Sequence, residues 1–202
     1  MVTPITRSVR HPKTGNLLQF PSTRSTSNRT AMIHPCPPPI RELAIFDSQI
    51  KDIEELLMGL RPGVEAVVLT SDTNGINQIS TWLNTRHRFD AIHIFATGNS
   101  GQMRLGNITL NLDTLRQHRI ALSRWRQHLS RNGIIQLYCS QLGAAPYGES
   151  FVKALNCTLD TTIATSRHRL GGGRWQLDLV HGPATVALPL NHNCINTYKH
   201  LL

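Results

Sequence analysis

Ile92-His93-Ile94-Phe95-Ala96-Thr97-Gly98 and Ile134-Ile135-Gln136-Leu137-Tyr138-Cys139-Ser140 are the two stretches that decide the fold. Each starts as an apolar run and ends in small or polar residues. Short continuous apolar runs rich in β-branched side chains fit strands buried on both faces of a parallel sheet. In an open sheet of that kind the carboxyl ends of the strands collect the chemistry. The candidate site therefore lies at Thr97, Gly98, Cys139 and Ser140.

Working outward, the same alternation of strand and helix signals repeats. Leu43 to Phe46 is a short apolar run, and Asp47-Ser48 offers a helix cap. Ile50, Ile53, Leu56, Leu57 and Leu60 follow at helical spacing until Pro62-Gly63 breaks the pattern. Val64 to Leu69 reads as a second buried strand. Ile76, Ile79, Trp82 and Leu83 mark the next helix, and residues 91–95 the third strand. Met103-Arg104-Leu105 and Ile108-Thr109-Leu110, joined by Gly106-Asn107, read as a small hairpin. Asn111 or Asp113 can cap a long helix through Leu112, Leu115, Leu122, Trp125 and Leu129, which Asn132-Gly133 would end. A fourth strand at 134–138, a helix at 148–155 and strands at 161–164 and 175–180 complete the series. Regular alternation of this kind predicts an α/β domain in three layers, with helices on both faces of a mostly parallel sheet. The domain is expected over residues 41–190, with 191–202 as a C-terminal extension.

Charge is unevenly distributed. The chain of 202 residues carries a formal net charge of +9, and all 12 of its acidic residues fall after residue 40. Residues 1–40 hold five basic residues and are rich in Ser, Thr, Pro and Asn. Such a segment cannot bury enough apolar surface to offset chain entropy, so a disordered, dispensable tail is expected. An Arg- and Ser-rich, acid-poor targeting segment is the alternative for the same residues. Cys36, Cys139, Cys157 and Cys194 are scattered without CxxC or metal-type spacing, so neither a disulfide framework nor a metal site is expected. No motif requires a cofactor. Apolar runs fall short of the ~18 residues of a membrane span, and no secretory signal core is present. These features favour a cytoplasmic protein without a membrane role.

The long helix is also basic. Arg116, Arg119, Arg126 and Arg131 are expected on its outward face, opposed on that helix only by Asp113. An acidic protein partner is the expectation for this face. Any nucleic-acid binding there should be non-specific, since no base-reading motif accompanies it.

The ordered set of parts resembles one family. Leu43 to Asp47, Gly63-Val64-Glu65, Asp90 to Ile94 followed by a glycine loop, and Leu105-Gly106-Asn107 carry the resemblance. So do Asn132-Gly133, Leu137-Tyr138, Gly148 with Phe151 to Leu155, and Gly172-Gly173 before Trp175. Together, over about residues 42–182, they resemble the DUF4347 family, a bacterial group that is similar to the caspase-like cysteine peptidases of clan CD. The resemblance implies a caspase-like sheet. It also implies a catalytic His where this chain has Thr97, with Gly98 kept, and a catalytic Cys where it has Ser140. Cys139 falls on the family's glycine. A threonine cannot act as a base near neutral pH, and a serine hydroxyl without a base is a poor nucleophile. The expectation is a catalytically inactive domain that serves as a binding or assembly module. A degenerate hydrolase using Cys139 and a basic nucleic-acid adaptor are the two alternatives.

Overall fold

Glu42–Asp47 (β1) is buried along its whole length, because strands flank it on both sides. The computed structural model describes residues 40–86, 88–183 and 187–202, which fall within one compact unit, Pro38–Leu202. After β1 come α1 (Ile53–Met58), β2 (Val64–Leu69), α2 (Gly75–Leu83) and β3 (Phe89–Phe95). A compact insert follows, with β4 (Gly98–Asn99), β5 (Gln102–Leu105) and β6 (Ile108–Leu110). The chain continues through α3 (Leu112–Arg124), a 3-10 turn (Trp125–His128), β7 (Leu129–Tyr138) and α4 (Ala145–Leu159). It ends with β8 (Thr162–Thr165), β9 (Leu179–His181) and α5 (His192–Thr197).

Six of these strands form one sheet in the order β2-β1-β3-β7-β8-β9. The first five run parallel, and β9 closes the edge antiparallel to β8. Period-two alternation then sorts the side chains into two cores. Leu43 and Ile45, Ile92 and Ile94, and Ile135 and Leu137 pack with α2, α3 and α4 through Ile76, Leu83, Leu122, Phe151 and Leu155. On the opposite face Ala44, Phe46, Phe95 and Tyr138 pack with Leu56 of α1, Trp175, Cys194 of α5 and Tyr198. Helices on both faces of a mostly parallel sheet make the three-layer sandwich that the sequence predicts.

Residues 191–202 belong to this second face. Asn191 caps α5 by accepting from the Cys194 amide at 2.9 Å. The Tyr198 hydroxyl donates to the Lys51 carbonyl at 2.9 Å, and the Leu202 amide donates to Leu170 at 3.0 Å. Apart from Ile40, the expectations for the N-terminal tail fall outside the described residues.

Three elements differ from the sequence reading. Asp47 does not cap a helix, since α1 begins only at Ile53 with Asp52 before it. The Asp47 carboxylate is instead fully buried and accepts from the Gln49 and Gly106 amides. The long helix ends at Arg124, well before Asn132-Gly133, and Leu129 to Gly133 belong to β7. Leu129 keeps helical spacing from Leu122 and Trp125, so its burial imitated a helix while the backbone had already become extended. The register against β3 jumps there, with Phe89 opposite Leu129 and Ala91 opposite Ile134. A bulge of this kind leaves carbonyls without ladder partners. Arg126 satisfies two of them, donating to Ser130 at 2.9 Å and to Arg131 at 3.0 Å. The last strand covers 179–181 rather than 175–180, and Trp175 serves the second core instead.

The insert is fixed by one glycine. Gly106 has φ +61°, a left-handed conformation that side chains rarely adopt, and an added Cβ would land on the Thr73 carbonyl oxygen. Its amide donates to Asp47 Oδ2 at 2.6 Å, which ties the hairpin to the end of β1. Gly106→Ala is expected to cost roughly 1–3 kcal/mol, the usual range for a strained backbone position. Urea unfolding measures it, and a neutral result would mean that the hairpin is not clamped at this point.

Candidate functional site

The carboxyl ends of β3 and β7 do meet. Phe95 pairs with Tyr138, and the Ala96 amide donates to the Tyr138 carbonyl at 3.0 Å. Two residues beyond this pair lie Thr97 on one side and Ser140 on the other. Thr97 is half-buried and Gly98 exposed, whereas Cys139 and Ser140 are buried. Gly98 and Cys139 are in close approach, since a Cβ on Gly98 would sit 2.7 Å from the Cys139 sulfur. The sequence-predicted residues are therefore neighbours.

Cys139 and Ser140 do not face an open pocket. The insert lies over them, with the Arg104 amide donating to the Thr97 carbonyl at 2.8 Å and the Gly101 amide to Leu142 at 3.0 Å. The Ser100 hydroxyl donates to the Ala144 carbonyl, which fastens the insert to the start of α4. Cys139 is completely buried beneath it, its thiol directed at the Gln102 carbonyl at 4.0 Å. Burial pushes this thiol up to about 12, because a thiolate there would lose its water without gaining a cation. The Ser140 hydroxyl accepts from the Leu170 amide at 3.0 Å and lies 3.4 Å from the Leu170 carbonyl as a donor. Both of its hydrogen-bonding roles are used to hold a loop.

A buried polar group lies two residues further into the same strands. His93 has no solvent exposure, and its Nε2 is 3.0 Å from Glu42 Oε2. The same carboxylate oxygen accepts from the Arg61 guanidinium at 2.7 Å. Burial alone would push the Glu42 carboxyl up. The His93 bond, the charge interaction with His93 and the attraction of Arg61 outweigh it and hold the group below its ordinary value. In the neighbouring register position to His93 on β7, Gln136 accepts from the Tyr138 hydroxyl at 3.0 Å. The two pairs lie side by side across β3 and β7, with the His93 and Tyr138 ring centroids 6.1 Å apart.

The basic surface is smaller than the sequence implied. Arg116 and Arg119 are exposed on α3, with the large apolar Ile120 beside them. Arg126 lies in the 3-10 turn and holds the β7 bulge, and Arg131 lies on β7 itself. The four cations do not share one helix. Among the described residues no group of three His, Cys, Asp or Glu is arranged to hold a metal ion, and no helix is long and apolar enough to cross a membrane.

With this geometry in place, the sequence profile described as "Domain of unknown function (DUF4347)" matches residues 43–202. The chain belongs to the DUF4347 family. The match extends through α5 to the last residue, so the family's domain includes the C-terminal segment that packs on the second core. No curated protein matches the chain. Among solved structures, one described as "Crystal structure of a small-chain dehydrogenase" aligns at 12% identity. The alignment covers 59% of this chain and 72% of the other, with a TM-score of 0.32. A likeness at that level bears on neither fold nor activity.

Sequence reasoning missed two features of this DUF4347 domain. It did not foresee that the insert would cover the strand ends, although the small residues Gly98 and Gly101 that permit the close approach are visible in the sequence. It also passed over the Arg61–Glu42–His93 cluster, whose members are 19 and 51 residues apart from Glu42 and carry no local signal.

Proposed function

We propose that this DUF4347 domain is a catalytically inactive relative of caspase-like peptidases and works as a binding or assembly module. The burial of Cys139 carries the reading. Burial pushes its thiol up to about 12, which keeps it protonated at neutral pH, and the thiolate is the nucleophile. Ser140, which stands where the family resemblance implies a catalytic cysteine, is bonded to Leu170. Thr97, which stands where it implies a histidine, has no ring nitrogen to take a proton. These features favour lost chemistry over a hydrolase shifted to Cys139. The surface assigned to the partner is the exposed Arg116 and Arg119 of α3. Its occupant is an acidic protein, because cations without a base-reading element give attraction without sequence discrimination.

The experiment has a chemical arm and a binding arm. A broad peptide-substrate screen should show no turnover, and Cys139→Ala should change nothing. Iodoacetamide should modify the exposed Cys157 in the folded protein and leave Cys139 intact. Poly-glutamate should bind in a salt-sensitive manner and be lost on double Arg116→Glu, Arg119→Glu substitution. Turnover abolished by Cys139→Ala would establish a hydrolase instead. Binding that discriminates one DNA sequence by about 1,000-fold, as specific binders do, would establish a nucleic-acid adaptor.

A further inference from the structure

Between α2 and α3 opens a cleft of about 270 Å³. From α2 it is lined by Asn77, Ser80, Thr81 and Asn84, spaced i, i+3, i+4 and i+7, which is one stripe of a helix. The other wall is Ala121, Arg124, Trp125 and His128, at the same spacing along α3 and the turn that extends it. Facing stripes of two packed helices are ordinarily apolar. In this domain the apolar stripes, Ile76, Ile79 and Leu83 on α2 with Leu115 and Leu122 on α3, belong to the sheet-facing core. The stripes that face each other are polar along α2 and mixed along α3 and its turn, where Arg124 and His128 alternate with Trp125 and the small Ala121.

The base of the cleft is fixed. The Trp125 indole donates to the Ser80 hydroxyl at 2.9 Å, and that hydroxyl donates to the Ile76 carbonyl at 2.7 Å. The side chains of Asn77, Thr81, Asn84, Arg124 and His128 make no hydrogen bond or ion pair among the described residues. No acid lines the space. Asn77, Thr81, Asn84 and Arg124 are exposed at the mouth of the cleft and His128 is half-buried, so their donors and acceptors are open to a ligand that enters the concavity above the Trp125–Ser80 bond. The volume corresponds to roughly nine waters at ~30 Å³ each, so the occupant is small.

The chemistry of the lining defines that occupant. Arg124 offers a planar fork of donors that matches an oxyanion, and His128 adds a ring N–H donor. Two carboxamides and a hydroxyl, each able to donate and accept, match a set of alcohol groups. We infer that the α2–α3 cleft binds a small polyhydroxylated anion, a sugar bearing a phosphate or carboxylate. The inference is independent of the acidic-partner surface, which uses Arg116 and Arg119 rather than any lining residue.

Amide chemical-shift mapping on the full chain tests it with four probes: glucose 6-phosphate, glucuronate, glucose and inorganic phosphate. Glucose 6-phosphate or glucuronate should shift the amides of Asn77, Asn84, Arg124 and His128 saturably, with a Kd of about 1 mM or below. Which of the two binds identifies the anionic group. Glucose and phosphate should each bind at least about tenfold more weakly. Arg124→Gln and Asn84→Ala are surface changes that leave the fold intact, as an unchanged melting midpoint would verify. Each should weaken the sugar anion about tenfold or more, while Arg116→Gln should not. Equal binding of glucose would overturn the inference by making the charge irrelevant. Equal binding of phosphate would overturn it by reducing the cleft to a cation patch. No saturable shift by either sugar anion on the order of 10 mM would overturn it outright.

Discussion

Phe95→Ala is expected to destabilise the domain by about 3–5 kcal/mol, the range for truncating a fully buried phenylalanine. Phe95 stacks on Phe46 with ring centroids 4.6 Å apart and on Tyr138 at 4.5 Å, and meets Trp175 edge-on at 6.3 Å. Offset stacking and edge contacts add to area burial, by ~0.5–1.5 kcal/mol per pair. The three stacked rings come from β1, β3 and β7, so the cavity would open beneath the middle of the sheet, where neighbours cannot collapse without breaking ladder hydrogen bonds. The melting midpoint should fall on the order of 10 °C. Phe95→Leu keeps most of the volume and should cost about 1–2 kcal/mol. A loss below about 1 kcal/mol for the alanine variant, against the expected range, would mean that this face of the sheet is loosely packed.

Glu42→Ala should cost about 1–3 kcal/mol at neutral pH, the range for leaving a buried polar group without its partner. The carboxylate bridges the part-exposed Arg61 and the wholly buried His93, and its removal leaves the His93 Nε2 buried without a hydrogen-bond partner. The same residue shapes the acid limb. Its carboxyl is held below the ordinary 4.5 in the folded chain, so on acidification the unfolded chain takes up the proton first. The stabilisation is complete above 4.5 and is lost as pH falls through the lower folded value. Asp178 contributes in the same direction. Burial raises it, and this is outweighed by the Arg167 amide and by the Ser166 and Arg167 side chains. Glu42→Ala should therefore be less stable near pH 7 and show a shallower, though not absent, decline below pH 4.5. Chemical denaturation across that range measures both effects. An unchanged acid limb would place the titrating group elsewhere.

Much of this architecture was legible in the residues because buried parallel strands announce themselves as apolar runs. Val64 to Leu69 is read without error, and the other central strands are read to within a residue or two at most ends. What failed was the junction after α3. Leu122, Trp125 and Leu129 are all buried, and three buried residues at helical spacing cannot report that the backbone between them changes from helix to 3-10 turn to strand. The basic face failed with it, since Arg126 and Arg131 were assigned to a helix that had already ended. At the site, the approach of Thr97 and Gly98 to Cys139 and Ser140 followed from strand order. The covering insert did not, because it depends on tertiary bonds such as Gly106 to Asp47 across 59 residues. The α2–α3 cleft is written in the spacing of Asn77, Ser80, Thr81 and Asn84, but a polar helical stripe reads as solvent-facing until a second stripe is placed opposite it.

The strand order β2-β1-β3-β7-β8-β9 also bears on how the chain is made. After β2, every new strand joins the same side of the sheet, so a nascent chain can grow its sheet by successive addition at one margin. At each stage the last strand docked offers an unpaired apolar rim to other chains. The longest wait falls between β3 and β7, while the insert, α3 and the 3-10 turn emerge. At ~5–20 residues per second that wait lasts a few seconds. Aggregation on expression should therefore depend on translation speed through residues 96–128 more than on the stability of the finished domain.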